Sequence, residues 1–157
     1  MDTSTIPGSG PGVRSLVKER VVAASPPIVW AAWTSSEGIG AWWGPAASNI
    51  ELRIGGPFEI LFSLDAPEGQ RGSEGCRILA YVPGESFSFT WNAPPHLPLR
   101  SANTWVMLTF VEAAPGETTV RLVHTGFLEG PDWDEYIAYF DDAWAYVLGL
   151  LSDHWGG

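Results

Sequence analysis

The last part of the chain carries an apolar stripe with helical spacing. Its members, three or four positions apart, are Ile137, Phe140, Trp144, Leu148, Leu151 and Trp155. This spacing places them on one face of an α-helix. We expect the helix to begin at Asp132, because Asp132 and Glu135 have the spacing of a capping box. A stripe with this many large rings must pack against another apolar surface, and the preceding strands are the candidate.

The middle of the chain alternates between apolar and polar residues, as half-buried β-strands do. The pattern is clearest at 86–91, where Phe87, Phe89 and Trp91 share one face. The other expected strands cover 16–24, 49–54, 58–64, 76–82, 104–111 and 118–125, and the register of 76–82 stays open. In the last of these, His124 is the ionisable residue on the face that we assign to the interior.

Two short helices are expected between the first and second strands. Ser25 caps the first, which has proline in its first turn. Thr34 or Ser35 caps the second, which ends at the helix-stopping pair Gly44-Pro45. This order of elements predicts an α+β fold with a mostly antiparallel sheet.

Loop lengths predict where a binding site lies. In an up-and-down meander alternate connections share one end of the sheet, so the short turns at 55–57, 83–85 and 113–117 lie opposite the long loops at 65–75, 92–103 and 126–131. Long loops at one end of a scaffold usually carry the binding surface. Because one curled sheet cannot fill its interior with one helix, we expect a closed pocket with its mouth at the long loops.

Composition narrows the classes of partner. The formal charge is −10, with 18 acidic residues against 8 Lys and Arg, which disfavours nucleic acids and anionic membranes. A length of 157 residues fits one domain at 15–157 after a flexible Gly- and Pro-rich arm at 1–14. The arm lacks the features of a signal peptide and Cys76 is the lone cysteine, so a cytoplasmic location is expected. We expect no metal, because the cysteine and histidines lack ligand spacing, and no cofactor, because the sequence contains no nucleotide-binding fingerprint.

Several short motifs, in order along the chain, together resemble one family. They are Ala24-Ser-Pro-Pro-Ile-Val-Trp30, Trp42-Trp43, Arg53-Ile-Gly-Gly56 with Phe58, Pro83 with Phe89-Thr-Trp91, His124-Thr-Gly-Phe127, and the Trp144, Leu148 and Leu151 helix. The chain is similar to AHSA-type domains, homologues of the activator of heat-shock-protein ATPase (AHSA1-like). These belong to the START/polyketide-cyclase/birch-pollen-allergen (SRPBCC) superfamily. Two features depart from the family pattern: Ala143 replaces a usual glycine, and the proline-rich insert 93–100 is individual.

The resemblance implies a helix-grip fold, in which a curved antiparallel sheet of about seven strands holds the C-terminal helix. It implies a cavity for an apolar ligand in many relatives, although the family also contains cyclases, dehydratases and co-chaperones. Fold alone does not choose among these activities.

Three functions follow, with ligand binding favoured over catalysis. The first is the binding of a small hydrophobic ligand, whose expected contacts are Trp43, Phe58, Ile60, Phe62, Trp91, His124, Tyr136, Tyr139, Phe140 and Trp144. The second is a cyclase, dehydratase or hydrolase with His124 as acid/base; a structural role for His124 is favoured over it. The third is regulation of a chaperone ATPase, compatible with the acidic surface but not specifically supported by the sequence.

Two further points concern tryptophans. One of Trp42 and Trp43 is expected to point inward, either into the core or over the cavity as its wall, and which of the two does so stays open. Trp105 and Met107 are expected on the outer face of the sheet beside Val123, as an apolar patch and candidate homodimer contact.

Overall fold

The computed structural model describes residues 13–156, so residues 1–12 of the expected arm lie outside it. In chain order the elements are β1 (Arg14–Val22), α1 (Pro26–Trp33), α2 (Ser36–Trp42), β2 (Ala47–Ile50), β3 (Phe58–Leu61), β4 (Ile78–Val82), β5 (Ser86–Trp91), β6 (Thr104–Ala114), β7 (Glu117–Phe127) and α3 (Pro131–His154). This order confirms the α+β prediction, with two short helices after the first strand and one long helix at the end.

The seven strands divide into two antiparallel sheets. The larger has the order β1-β7-β6-β5-β4, and the smaller pairs β2 with β3. The two are linked by backbone bonds from Phe58 N to the Cys76 carbonyl and from Ile78 N to the Gly56 carbonyl, 2.9 and 2.8 Å long. The prediction of about seven strands is therefore confirmed as five plus two.

The long helix packs its apolar stripe on the sheet, as the spacing predicts. Phe140, Trp144, Leu148 and Leu151 are all buried. The helix begins one residue earlier than expected, at Pro131 after Gly130, whose φ of 127° requires glycine. Asp132 is therefore an acidic residue in the first turn, where it complements the helix dipole, and not the cap.

The strand at 58–64 is shorter than its alternation predicts. β3 ends at Leu61, and the chain then turns back so that Phe62 N bonds to the Arg71 carbonyl at 2.7 Å. Phe58 and Ile60 stay in the core, whereas Phe62 is 50% exposed. In β4, an irregularity between Ile78 and Ala80 explains why alternation did not settle the register.

The outer face of the large sheet carries the expected apolar residues. Met107 pairs with Val123, and Trp105 and Met107 are each 39% exposed. The Trp105 ring lies over Gly126, where a Cβ would come within 2.9 Å of the ring. Within residues 13–156, none of the helices combines the length and the hydropathy needed to cross a lipid bilayer.

Candidate ligand-binding cleft

A cleft of about 540 Å³ lies between α3 and the long loops that follow β3 and β5. Its lining includes Trp43–Ala46 after α2, residues 70–73 and 91–95, Arg100, and one side of α3 from Tyr139 to Leu150. Two of the three long loops predicted to surround the mouth thus line it. The cleft opens to solvent, since its lining residues Phe62 and Tyr146 are 50% and 67% exposed.

The inner wall of the cleft is a cluster of aromatic rings. The centroid of Trp43 lies 6.1 Å from that of Trp91, 6.1 Å from that of Trp144 and 5.9 Å from that of Phe62. The Trp91 and Trp144 rings are 5.5 Å apart. Rings in such contact hold one another in place and present an apolar surface.

The structure distinguishes the two consecutive tryptophans. Trp42, the last residue of α2, is buried, and its indole N–H donates to the Ala32 carbonyl at 2.9 Å. Trp43 follows as the helix C-cap, is half-buried and lines the cleft. Trp42 therefore ties α2 to α1, while Trp43 is the wall residue.

Six of the ten residues expected to contact a ligand line this cleft: Trp43, Phe62, Trp91, Tyr139, Phe140 and Trp144. The other four lie behind it, each with no exposed surface: Phe58, Ile60, His124 and Tyr136. Their rings and chains fill the space between sheet and helix that was expected to stay hollow. The cavity is for that reason an open cleft at the sheet margin and not a closed pocket.

His124 belongs to a buried hydrogen-bond network. The Trp144 indole N–H donates to His124 Nδ1 at 3.0 Å, so Nδ1 must be unprotonated. The proton is then on Nε2, which donates to Thr104 Oγ1 at 2.6 Å. The Thr104 hydroxyl in turn donates to the Trp91 carbonyl at 3.1 Å, and the Tyr136 hydroxyl lies 3.4 Å from Thr104 Oγ1.

This network keeps His124 neutral. Burial lowers the pKa of His124 to about 3, and the indole N–H aimed at Nδ1 leaves no acceptor for a second ring proton. Burial likewise raises the pKa of the Tyr136 hydroxyl to about 12. His124 therefore holds β7, β6 and α3 together as a neutral ring, behind the cleft wall and out of reach of a molecule in the cleft.

The sequence analysis missed the polar rim of the cleft. Arg71 and Arg100 line it, together with polar side chains from the same loops: Ser63, Gln70, Ser73 and Asn92. Arg100 belongs to the proline-rich insert, which was recognised as individual, and Arg71 to a loop assigned to the mouth. The position of both arginines in the long loops was the one sign in the sequence that they could line the cleft. The alternation of apolar and polar residues shows which way a side chain points in a strand, but it does not apply to loops.

Neither Cys76 nor a metal-binding cluster of the described residues adds chemistry to the cleft. Burial raises the pKa of the Cys76 thiol to about 12, so at neutral pH this residue stays protonated and is a poor nucleophile. Within residues 13–156, no three His, Cys, Asp or Glu side chains gather closely enough to hold a metal ion.

Comparisons with known proteins agree with this architecture. The family model described as Activator of Hsp90 ATPase homolog 1-like protein matches residues 23–155. No curated protein matches the chain.

Solved structures share the fold at low sequence identity. A Mesorhizobium loti protein is 24% identical, with 90% of this chain and 96% of that chain covered and a TM-score of 0.71. An AHSA1-like protein from Rhizobium etli is 23% identical, with 93% of this chain and 84% of that chain covered and a TM-score of 0.64. The Aha1 dimer from Colwellia psychrerythraea is 19% identical, with 90% of this chain and 95% of that chain covered and a TM-score of 0.65. At such identities these likenesses establish the fold alone.

Proposed function

The chain belongs to the Activator of Hsp90 ATPase homolog 1-like family, and on this premise we propose that it binds a small, largely apolar ligand in the cleft beside α3. The observation that carries the proposal is the wall of packed rings formed by Trp43, Trp91 and Trp144, facing a space of about 540 Å³. A cleft of this size with an apolar wall and a few polar groups has the usual composition of a small-molecule site.

The two alternatives have less support. An acid/base role for His124 needs contact with the substrate, but its nitrogens are occupied by Thr104 and Trp144 and its ring is buried. Regulation of a chaperone ATPase rests on the family description, and no described residue favours it over ligand binding.

Two alanines of α3, on either side of Trp144 in the sequence, provide the test. Ala143 lines the cleft and Ala145 is exposed on another side of the same helix. We expect Ala143→Phe to fill the cleft and abolish binding of N-phenyl-1-naphthylamine, a neutral aromatic probe that fluoresces in apolar sites. The matched control Ala145→Phe should bind the probe like the unmodified chain, and circular dichroism should show both variants folded.

The result that would overturn the proposal is equally direct. Either the unmodified chain gives no fluorescence with the probe and no thermal stabilisation by any member of an apolar metabolite library, or Ala143→Phe binds the probe unchanged. In the first case there is no ligand site, and in the second the site lies elsewhere.

A homodimer and a cytoplasmic location stay predictions. Aha1 of Colwellia psychrerythraea is a dimer in solution, so proteins with this fold can pair. The outer-face residues Trp105 and Met107 are the candidate contact, because both are well exposed for apolar side chains. Sedimentation velocity of the unmodified chain and of Met107→Asp tests this, with loss of a dimer expected in the variant and an unchanged dimer counting against this face.

A further inference from the structure

The charges lining the cleft have the opposite sign to the protein as a whole. The chain has a formal charge of −10, yet the charged residues that line the cleft are Arg71 and Arg100, and no acidic residue of the described chain lines it. From this contrast we propose that the ligand is an organic anion, with an apolar aromatic body and one negatively charged head group such as a carboxylate, sulfonate or phosphate. This inference rests on the proposed function and specifies its ligand.

Arg100 builds the rim and places a positive charge in it. Its guanidinium donates to the carbonyls of Ala93, Gly69 and Gly72, and so joins the loop after β5 to the loop after β3. Glu74 lies 3.5 Å from Nη2, but this carboxylate also accepts backbone N–H groups from its own loop and does not line the cleft. Arg100 is thus committed to the scaffold of the rim.

Arg71 is the residue left to meet an anion. Its Nε donates to the Ala66 carbonyl at 2.9 Å, which orients the guanidinium. Among residues 13–156, its two terminal nitrogens have no hydrogen-bond acceptor and no carboxylate partner. A guanidinium that is oriented by one bond and free at its outer edge matches the planar, bidentate geometry of a carboxylate or similar head group.

The overall charge makes this site selective. Long-range repulsion from an acidic protein disfavours every anion, but salt screens it over a Debye length of about 8 Å. A direct contact with the guanidinium is screened much less. An anion therefore binds well only if its apolar body packs on the aromatic wall while its head group touches Arg71. The wall of Trp43, Trp91 and Trp144 supplies the first contact and Arg71 the second.

A pair of probes that differ in one charge separates these contributions. 1-Anilinonaphthalene-8-sulfonate carries a sulfonate, and N-phenyl-1-naphthylamine has the same ring systems without it. The variants are Arg71→Gln, which removes the charge, Arg71→Lys, which keeps it, and Arg20→Gln as the matched control. Arg20 is exposed, lies outside the cleft and forms no ion pair with any described residue.

We expect the unmodified chain to bind the sulfonate about tenfold more tightly than the neutral probe. Arg71→Gln should remove this preference by weakening the sulfonate alone, Arg71→Lys should restore most of it, and Arg20→Gln should change neither affinity. The preference should persist as salt rises, because salt screens the long-range repulsion from the acidic protein more than the direct contact with Arg71.

Two different failures are distinguishable. If the neutral probe binds and the sulfonate binds no better, or if Arg71→Gln leaves their ratio unchanged, the anion proposal is wrong while the cleft remains a ligand site. If neither probe binds, the anion proposal is wrong, and if no member of the apolar metabolite library stabilises the chain either, the proposed function itself fails.

Discussion

The indole N–H of Trp144 donates to Nδ1 of His124 across 3.0 Å, joining the last helix to the last strand. The bond selects the neutral tautomer with its proton on Nε2, which can then donate to Thr104. Trp144 also lines the cleft. One side chain thus contributes both to the wall of the proposed binding site and to the polar network behind it.

Removing the donor should destabilise the protein strongly. In Trp144→Phe, the buried Nδ1 of His124 loses its partner and the smaller ring leaves a void, so the free energy of unfolding should fall by about 2–4 kcal/mol. Urea unfolding measures this. Trp105→Phe is the matched control, because the Trp105 indole is partly exposed, and it should cost less than about 1 kcal/mol. Equal losses in the two variants would show that the bond contributes nothing measurable.

The buried His124 should also make stability depend on pH. Its pKa is lowered from 6.5 in the unfolded chain to about 3 in the folded one, so between these values the unfolded state binds more protons. The contribution of His124 is complete above pH 6.5, and it decreases by about 1.4 kcal/mol for each unit that the pH falls below that, toward pH 3.

A variant isolates this contribution from that of the carboxylates. His124→Gln cannot titrate, although its amide can still donate to Thr104. Its free energy of unfolding, measured by urea at several pH values from 7 to about 4.5, should fall less steeply than that of the unmodified chain. Parallel curves for the two proteins would mean that His124 is already protonated in the folded state or is not buried.

Two glycines should respond to alanine in opposite directions. Gly126 has a φ of +100° and lies under the Trp105 ring, so Gly126→Ala should cost about 1–3 kcal/mol through strain and overlap. Gly149 lies within α3 with open space at its Cβ position, so Gly149→Ala should add about 0.5–1 kcal/mol to stability. Thermal unfolding of the two variants tests both signs. A stabilised Gly126→Ala would contradict the packing described for Trp105.

The aromatic wall predicts a selective loss of binding. Trp43→Ala removes a ring that contacts both Trp91 and Trp144, and should weaken the neutral naphthylamine probe about tenfold. Trp30 is also half-buried but packs on Tyr81 and donates to the Ser86 carbonyl, away from the cleft. Trp30→Ala should therefore leave the probe affinity unchanged in fluorescence titrations, and equal losses in both variants would indicate a general loosening of the fold.

Regular alternation predicted a strand well where one face packs on the core and the other faces solvent. Phe87, Phe89 and Trp91 gave the bounds of β5, because each alternate residue packs on the core. The same rule extended β3 to residue 64, whereas the strand ends at Leu61. A strand end depends on the backbone partner that replaces the ladder, here the Arg71 carbonyl for Phe62, and this partner leaves no trace in local periodicity.

How deeply each inward-facing side chain is buried was harder to predict from the sequence. His124 was assigned to the inner face of its strand and Tyr136 to the wall of the pocket, yet both are fully buried. The sequence did not tell an interior face from a cleft wall. That distinction depends on contacts between residues 20 or 32 positions apart, such as Thr104 with His124 and Tyr136. The rim depends on the paths of two loops, which Arg100 joins through backbone carbonyls.

The hydrogen bond of Trp144 has a thermodynamic consequence for recognition. The indole of Trp144 is already immobilised when the chain folds, so the binding of a ligand that stacks on it does not have to fix the rotamer of this side chain. The entropic cost of binding is therefore reduced at that surface. The conformational adjustment that remains falls on the solvent-exposed loops. Selectivity among guests can therefore be retuned by substitutions in those loops without weakening the rigid platform beneath.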